Sequence, residues 1–317
     1  MKKTYIKPTM VLKIDVDTLR GTIEGVPRLM ALLEKYQANA TFLFSLGPDN
    51  TGKAIKRVFR PGFLNKVSRT SVLEHYGLKT LMYGTLLPAP DIGKKTKHLM
   101  RSVKEQGFEV GVHCWDHVLW QDYVAKKSEE WTLEQFHLAR ARFEDIFKIT
   151  PKTHGAAGWQ LNLHALRYLE RFGFQICSDS RGTTPFIPVH KGEIFSCPQI
   201  PTTLPTLDEL IGLNGITVHN VAEHLLSLTQ TIPPLGHVFT LHAELEGMRL
   251  LSVFEKLLAG WKNQGYELIS LKEYVRLIKD VKLSYCEIDL HGKIVGRSGT
   301  LVTQGEPIFV MEGQKDV

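Results

Sequence analysis

The sequence has no uninterrupted apolar run near the ~18 residues that a membrane-spanning helix requires, so no integral span is expected. Its first residues, MKKTYIKPTMVLKIDVDT, are basic. They show neither a long apolar stretch nor a small-residue cleavage site, so they do not read as a secretory signal. Only four cysteines occur, at 114, 177, 197 and 286, without a CxxC pair or framework spacing. A disulfide scaffold is therefore not expected, and the thiols read as reduced and buried in strands. Repeats and low-complexity tracts do not stand out either. A reducing, cytoplasmic setting is the default that follows.

What is present is an ordinary globular composition, 43% apolar and 23% charged. A length of 317 residues allows two domains or one α/β barrel. The formal charge of +6 points to an anionic partner, with phosphate, nucleic acid and an acidic membrane surface all compatible.

Short apolar runs alternate with amphipathic stretches along the chain. MVLKID (10–15), ATFLFS (40–45), FEVGVH (108–113), FQICSD, GHVFTLHAE (236–244) and YELIS read as strands. GVPRLMALLEKY (25–36), KHLMRSVKEQG (97–107), TLEQFHLARARFEDIF (132–147, with Thr132 as N-cap), LHALRYLERFG and VFEKLLAGWKNQG read as helices. Such alternation predicts a parallel sheet with crossover helices, whose chemistry gathers at the C-terminal strand ends. Two stretches break the rhythm. Residues 47–96 form an insertion in which Lys53, Lys56, Arg57, Arg60, Lys66 and Arg69 interleave with Val58, Phe59, Phe63, Leu64 and Val67. It reads either as a solvated helical insertion or as a basic–apolar surface for anionic lipid. From about residue 281 the chain turns Gly- and β-rich and looks like a hairpin appendage.

Three strand ends carry ionisable groups. Asp15 and Asp17 fall on one face of their strand, which forces two negative charges together unless a cation or hydrogen-bond donors compensate. An acidic pair of this kind also commonly caps the following helix. His113 and His117 can reach one metal where a strand leads into a helical turn, although packed histidines show the same spacing. With Asp17 they supply two imidazoles and a carboxylate, a set suited to zinc or to iron, cobalt, nickel or manganese with open positions. His242, after the strand GHVFT, is placed for acid–base work near neutral pH, or for a capping or core role.

The order of these motifs resembles that of the polysaccharide deacetylase superfamily, the NodB-type carbohydrate esterases. The family's aspartate pair matches Asp15 and Asp17, its histidine pair spaced by three matches His113 and His117, and its late Leu-His motif matches Leu241-His242. The resemblance covers roughly residues 8–278. It implies a distorted (β/α) barrel over residues 1–280 with the insertion at about 47–96, followed by the β appendage at 281–317. The wording IDVDTLRGTIEGVPRL, SLGPDN, HCWDH, AAGW, SDSRG, QIPTTLPTLDE and HAELEG is similar to one branch. That branch removes the formyl group from 4-deoxy-4-formamido-L-arabinose carried on undecaprenyl phosphate, in lipid A modification.

The resemblance implies a divalent metal, zinc by default, on Asp17, His113 and His117, with Asp15 as general base and His242 as general acid. The family's third motif carries an arginine beside the catalytic aspartate, where this chain has Thr153-His154-Gly155-Ala156-Ala157-Gly158-Trp159. Arg181 is expected to supply that cation and Asp179 to orient His242; each also reads as half of a structural ion pair. Trp159 is taken as a supporting residue, and Glu246 as a ligand of the sugar or product amine or as a structural group. Arg20, Arg28 and the insertion's basic residues are candidate phosphate contacts. The expected setting is the cytoplasmic face of an inner membrane, bound peripherally to its anionic surface. An N-acetylated lipid-linked sugar or polysaccharide is the alternative substrate. Nucleic acid is not expected, since no recognised motif for it occurs.

Overall fold

The computed structural model describes residues 7–54 and 77–308. Its strands are β1 (Thr9–Val16), β2 (Thr41–Ser45), β3 (Glu109–Cys114), β4 (Thr153–His154), β5 (Ile176–Cys177), β6 (Phe186–His190), β7 (Glu193–Ile194), β8 (His237–His242), β9 (Glu267–Ile269), β10 (Ser284–Gly292) and β11 (Leu301–Pro307). The main sheet runs β5-β4-β3-β2-β1-β8, with β9 beside the first half of β1. All its pairings are parallel. β1 is buried over all eight residues, which explains its nearly continuous apolar run: a central parallel strand has no face in water.

The sheet curls, and residues 199–204 lie in the seam between its ends. The Ile200 amide donates to the Cys177 carbonyl of β5 at 2.7 Å, and the Thr203 amide to the Val238 carbonyl of β8 at 3.0 Å. The result is a distorted barrel flanked by helices.

The principal helices are α1 (Val26–Lys35), α2 (Ile92–Glu105), α3 (His117–Tyr123), α4 (Glu129–Phe147), α5 (Leu163–Arg171), α6 (Val221–Leu228), α7 (Leu251–Asn263) and α8 (Leu271–Leu277). Leu33, Val103, Phe143, Leu166 and Leu257 on these helices join Phe42, Phe44 and Phe239 of the sheet in one apolar cluster. Each such side chain contributes about 1.5–3 kcal/mol through burial. No described helix is long and apolar enough to cross a membrane. All four cysteines are free and buried.

Several local expectations change. α4 begins at Glu129 with Ser128 as its cap, and Thr132 sits in the first turn with its hydroxyl bonded back to the Ser128 carbonyl. Two acidic residues, Glu129 and Glu130, suit the positive helix start and extend it beyond the apolar period. α2 starts at Ile92, capped by Asp91, so residues 92–96 belong to the ring of helices. Of the six basic residues singled out in the insertion, Lys53 is described, whereas Lys56, Arg57, Arg60, Lys66 and Arg69 lie outside the described residues. The C-terminal strands form the short β appendage that was expected, and it is joined to the body through β6. β10 pairs in parallel with β6 and antiparallel with β11, giving a second sheet in the order β11-β10-β6-β7.

Candidate metal and acid–base site

The period of two along β1 directs Lys13, Asp15 and Asp17 to one face. All three are buried. β1 lies beside β8 with Asp15 opposite His242, and the Ala243 amide closes that pairing on the Asp15 carbonyl at 2.9 Å. Thus the strand register alone brings Asp15 and His242 side by side.

β3 adds the histidines through a bulge. Phe44 pairs with Val112 but Ser45 with Cys114, so His113 is the extra residue on β3. A bulge of this kind bends a strand and re-aims a side chain. Three residues after His113, Asp116 caps α3 by accepting from the Leu119 amide at 3.0 Å, and its other oxygen accepts from the Asn50 side chain. The helix begins at His117, whose ring stacks on that of His113 with centroids 5.4 Å apart.

Asp17 completes the group. Its two carboxylate oxygens lie 3.3 Å from His113 Nε2 and 3.4 Å from His117 Nε2. Potential ligand atoms of Asp17, His113 and His117 all fall within 4.8 Å of one another. Asp17 Oδ1 is buried without a hydrogen-bond partner, a costly state that a cation would relieve. His113 Nδ1 is 2.6 Å from the Gly155 carbonyl, so that nitrogen carries the proton and Nε2 presents its lone pair. The three residues therefore fit a divalent metal. Burial alone would raise the Asp17 carboxyl, but His117, His113 and His242 outweigh it and hold it well below the ordinary range.

Asp15 borders this cluster, with its Oδ1 3.8 Å from His113 Nδ1. Its Oδ2 faces Lys13 Nζ at 3.4 Å, and its Oδ1 has no hydrogen-bond partner. His242 Nδ1 is likewise buried and unpartnered.

The backbone of the Asp17 loop is held by acids that sequence reasoning did not single out. Glu244 Oε1 accepts from the Asp17 amide at 3.1 Å and from the Thr18 amide and hydroxyl at 2.8 Å each. Asp49 accepts from the Leu19 amide at 2.9 Å. These are long-range pairings with no local pattern. Lys13 did have a signal: it lies two residues before Asp15 in an apolar strand and so shares its face.

Two expectations for the supporting residues are corrected. Arg181 does not approach Asp15; its Nη1 grips both Glu209 oxygens at 2.8 and 2.9 Å, and Nη2 donates to the Leu204 carbonyl. The cation beside Asp15 is Lys13. Asp179 does not orient His242: it pairs with His154 Nδ1 at 2.7 Å and accepts from the Ala156 amide and the Gln199 side chain. The cause is topological, since β5 lies next to β4, which carries His154, whereas His242 ends β8 at the other side of the seam. Trp159 is buried, with Lys13 Nζ 5.0 Å from its ring centroid. Arg20 pairs with Glu24 at 3.1 Å.

Glu246 is fully buried rather than presented to solvent. Its Oε2 accepts from the His242 amide at 2.8 Å, while Oε1 has no partner. Burial pushes its carboxyl from an ordinary 4.5 up to about 7, with the His242 charge and backbone bonds pulling the other way. The folded protein thus keeps a proton that the unfolded chain releases near 4.5. Stability should fall as pH rises through that window, by roughly 3 kcal/mol in all. Glu246→Gln should remove this slope, gaining thermal stability over the parent at pH 8 but not at pH 4. Parallel melting profiles for the two proteins across this range would defeat the assignment.

Comparison with known proteins places this geometry. The polysaccharide deacetylase family model matches residues 2–177. A Shewanella sediminis protein named "Probable 4-deoxy-4-formamido-L-arabinose-phosphoundecaprenol deformylase ArnD" is 37% identical over 94% of this chain and 95% of its own. A protein of the same name from Wigglesworthia glossinidia brevipalpis is 34% identical over 90% of this chain and 98% of its own. Among solved structures, a Mycobacterium smegmatis protein superposes with a TM-score of 0.59 at 14% identity, covering 88% of this chain and 93% of that one. With the curled parallel sheet and a family match over more than half its length, the chain belongs to the polysaccharide deacetylase family.

Proposed function

We propose that the protein is a metal-dependent amidohydrolase that removes the formyl group from 4-deoxy-4-formamido-L-arabinose-phosphoundecaprenol, releasing formate and the free amine. The observation that carries the reading is the convergence of Asp17, His113 and His117 beside an Asp15 opposite His242 in strand register. Similarity to two proteins named as that deformylase, over at least nine-tenths of each chain, supports the substrate.

A divalent ion held by Asp17, His113 and His117, with zinc the first choice for this ligand set, would supply Lewis-acid polarisation of the formyl oxygen and of a water. Asp15, with one oxygen that makes no hydrogen bond, takes the proton from that water as it attacks. The formyl carbon becomes tetrahedral and its C–N bond then breaks. His242 donates the proton that lets the sugar nitrogen leave as a neutral amine, because an amide nitrogen is too poor a leaving group as an anion. The two aspartates divide the work. One serves the metal, and the other the proton.

The proposed site of action is the cytoplasmic face of an inner membrane, where lipid-linked substrate meets a chain of net charge +6. The product amine would later offset phosphate charge on lipid A, a change associated with antibiotic resistance. The test is a mass-spectrometric assay on formylated and acetylated aminosugar–phosphoprenols in anionic vesicles, with and without chelator. Chelator-sensitive loss of formyl, with the protein sedimenting on the vesicles, is the expected outcome. Faster loss of acetyl would favour a deacetylase of an N-acetylated sugar, and turnover indifferent to chelator would overturn the metal assignment.

A further inference from the structure

We propose that Lys13 is the positioning cation for Asp15, and that the C-terminal β10–β11 hairpin braces it by fixing the Trp159 wall through Arg297. The inference rests on the reading of Asp15 as general base.

Lys13 is completely buried on a strand whose neighbours are apolar. Burying an ammonium is costly unless charges answer it; the nearest is Asp15 Oδ2 at 3.4 Å, with the buried Asp179 carboxylate adding to it. Space for the lysine is provided by Gly155. A Cβ there would lie 2.9 Å from Lys13 Cε and 2.3 Å from Leu43 Cδ1. Gly155 belongs to the very segment that lacks an arginine, so the cation arrives from β1 into room that this segment leaves open.

The Lys13 ammonium sits 5.0 Å from the Trp159 ring centroid. Two guanidinium groups attend the same ring, Arg181 at 5.1 Å and Arg297 at 4.5 Å. Three cations around one indole repel one another unless countered. Glu209, itself buried, binds both guanidinium groups, at 2.8 Å to Arg181 and 3.2 Å to Arg297. Arg297 lies in the β10–β11 connection. The hairpin is tied down beside it: the Arg181 amide donates to the Val302 carbonyl at 2.9 Å, and the Gln160 side chain donates to the Thr300 carbonyl. The close approach of Gly296 to the Glu209 carbonyl, where a Cβ would stand at 2.5 Å, seats the connection on the same acid. The hairpin therefore ends a continuous line of contacts from Arg297 through Trp159 and Lys13 to Asp15.

The experiment measures kcat, KM and bound metal for Lys13→Met, Lys13→Arg, Arg297→Ala and the Lys13→Met/Arg297→Ala pair on the formylated aminosugar–phosphoprenol. Lys13→Met should lower kcat by about 100-fold with KM and metal content little changed, and Lys13→Arg should recover at least about tenfold of that loss. Arg297→Ala should lower kcat by about tenfold alone but by less than about twofold when added to Lys13→Met, the signature of one residue acting through the other. Near-normal kcat in Lys13→Met, or loss of its metal, overturns the proposal. Equal Arg297→Ala factors in both backgrounds overturn the bracing. If Lys13→Met does not fold, Arg297→Ala decides: lower kcat at unchanged KM and metal supports the proposal, and parental kcat overturns it. Turnover by Asp15→Asn would instead remove the general-base reading itself, so the two failures are separable.

Discussion

Asp15→Asn should leave metal content at the parental level and reduce turnover by about 10³-fold or more, near the upper reach of a lost general base. The substitution keeps the shape of the side chain, so the apolar packing of β1 is undisturbed. It removes the negative charge that faces Lys13 at 3.4 Å and the oxygen that is free to accept a proton. An asparagine there cannot take a proton from water. Elemental analysis beside the formyl-release assay separates the roles: lost metal would move Asp15 into the ligand set, and preserved turnover would assign the base elsewhere.

His113→Ala and His117→Ala should each lower bound metal at least about tenfold, and turnover with it. Each change removes one of two imidazoles and leaves Asp17 with half its histidine contacts. The two should differ in stability. His113 is buried and bonded to the Gly155 carbonyl, so its loss leaves a cavity and an unpaired carbonyl, whereas His117 is partly exposed at the start of α3. Unchanged metal stoichiometry in either variant would remove that residue from the site.

Much of this arrangement was legible in the chain. β1, β3 and β8 announce themselves as apolar runs that end in Asp15, His113 and His242, and a parallel sheet gathers such ends. What was hidden depends on neighbours. The bulge at His113 exists only relative to β2, so no property of FEVGVH reveals it. Arg181 and Asp179 sit close in sequence and look available, yet the partners they take, Glu209 and His154, are fixed by which strand lies beside which. Nothing in HAELEG tells which amides Glu244 and Glu246 would hold. In the structure Glu244 holds the Asp17 and Thr18 amides, and Glu246 holds that of His242. Lys13 is readable by the same alternation that pairs the aspartates, since it lies two residues before Asp15.

The seam filled by residues 199–204 bears on how the edges of the sheet are protected. A curled sheet that stops short of closure has two raw margins, β5 and β8, each offering amides and carbonyls to any extended chain that meets it. Here one segment answers both, through Cys177 on one side and Val238 on the other. Pro201 within that segment, and Pro198 and Pro205 on either side of it, have no amide hydrogen to donate. Other backbone groups of the segment are taken up inside the chain, Gln199 exchanging amide and carbonyl bonds with Phe186 of β6 at 2.9 and 3.0 Å. The cover also lies between the two margins in the chain, after β5 and before β8, so one short stretch protects the edge at Cys177 and the edge of the strand that ends in His242.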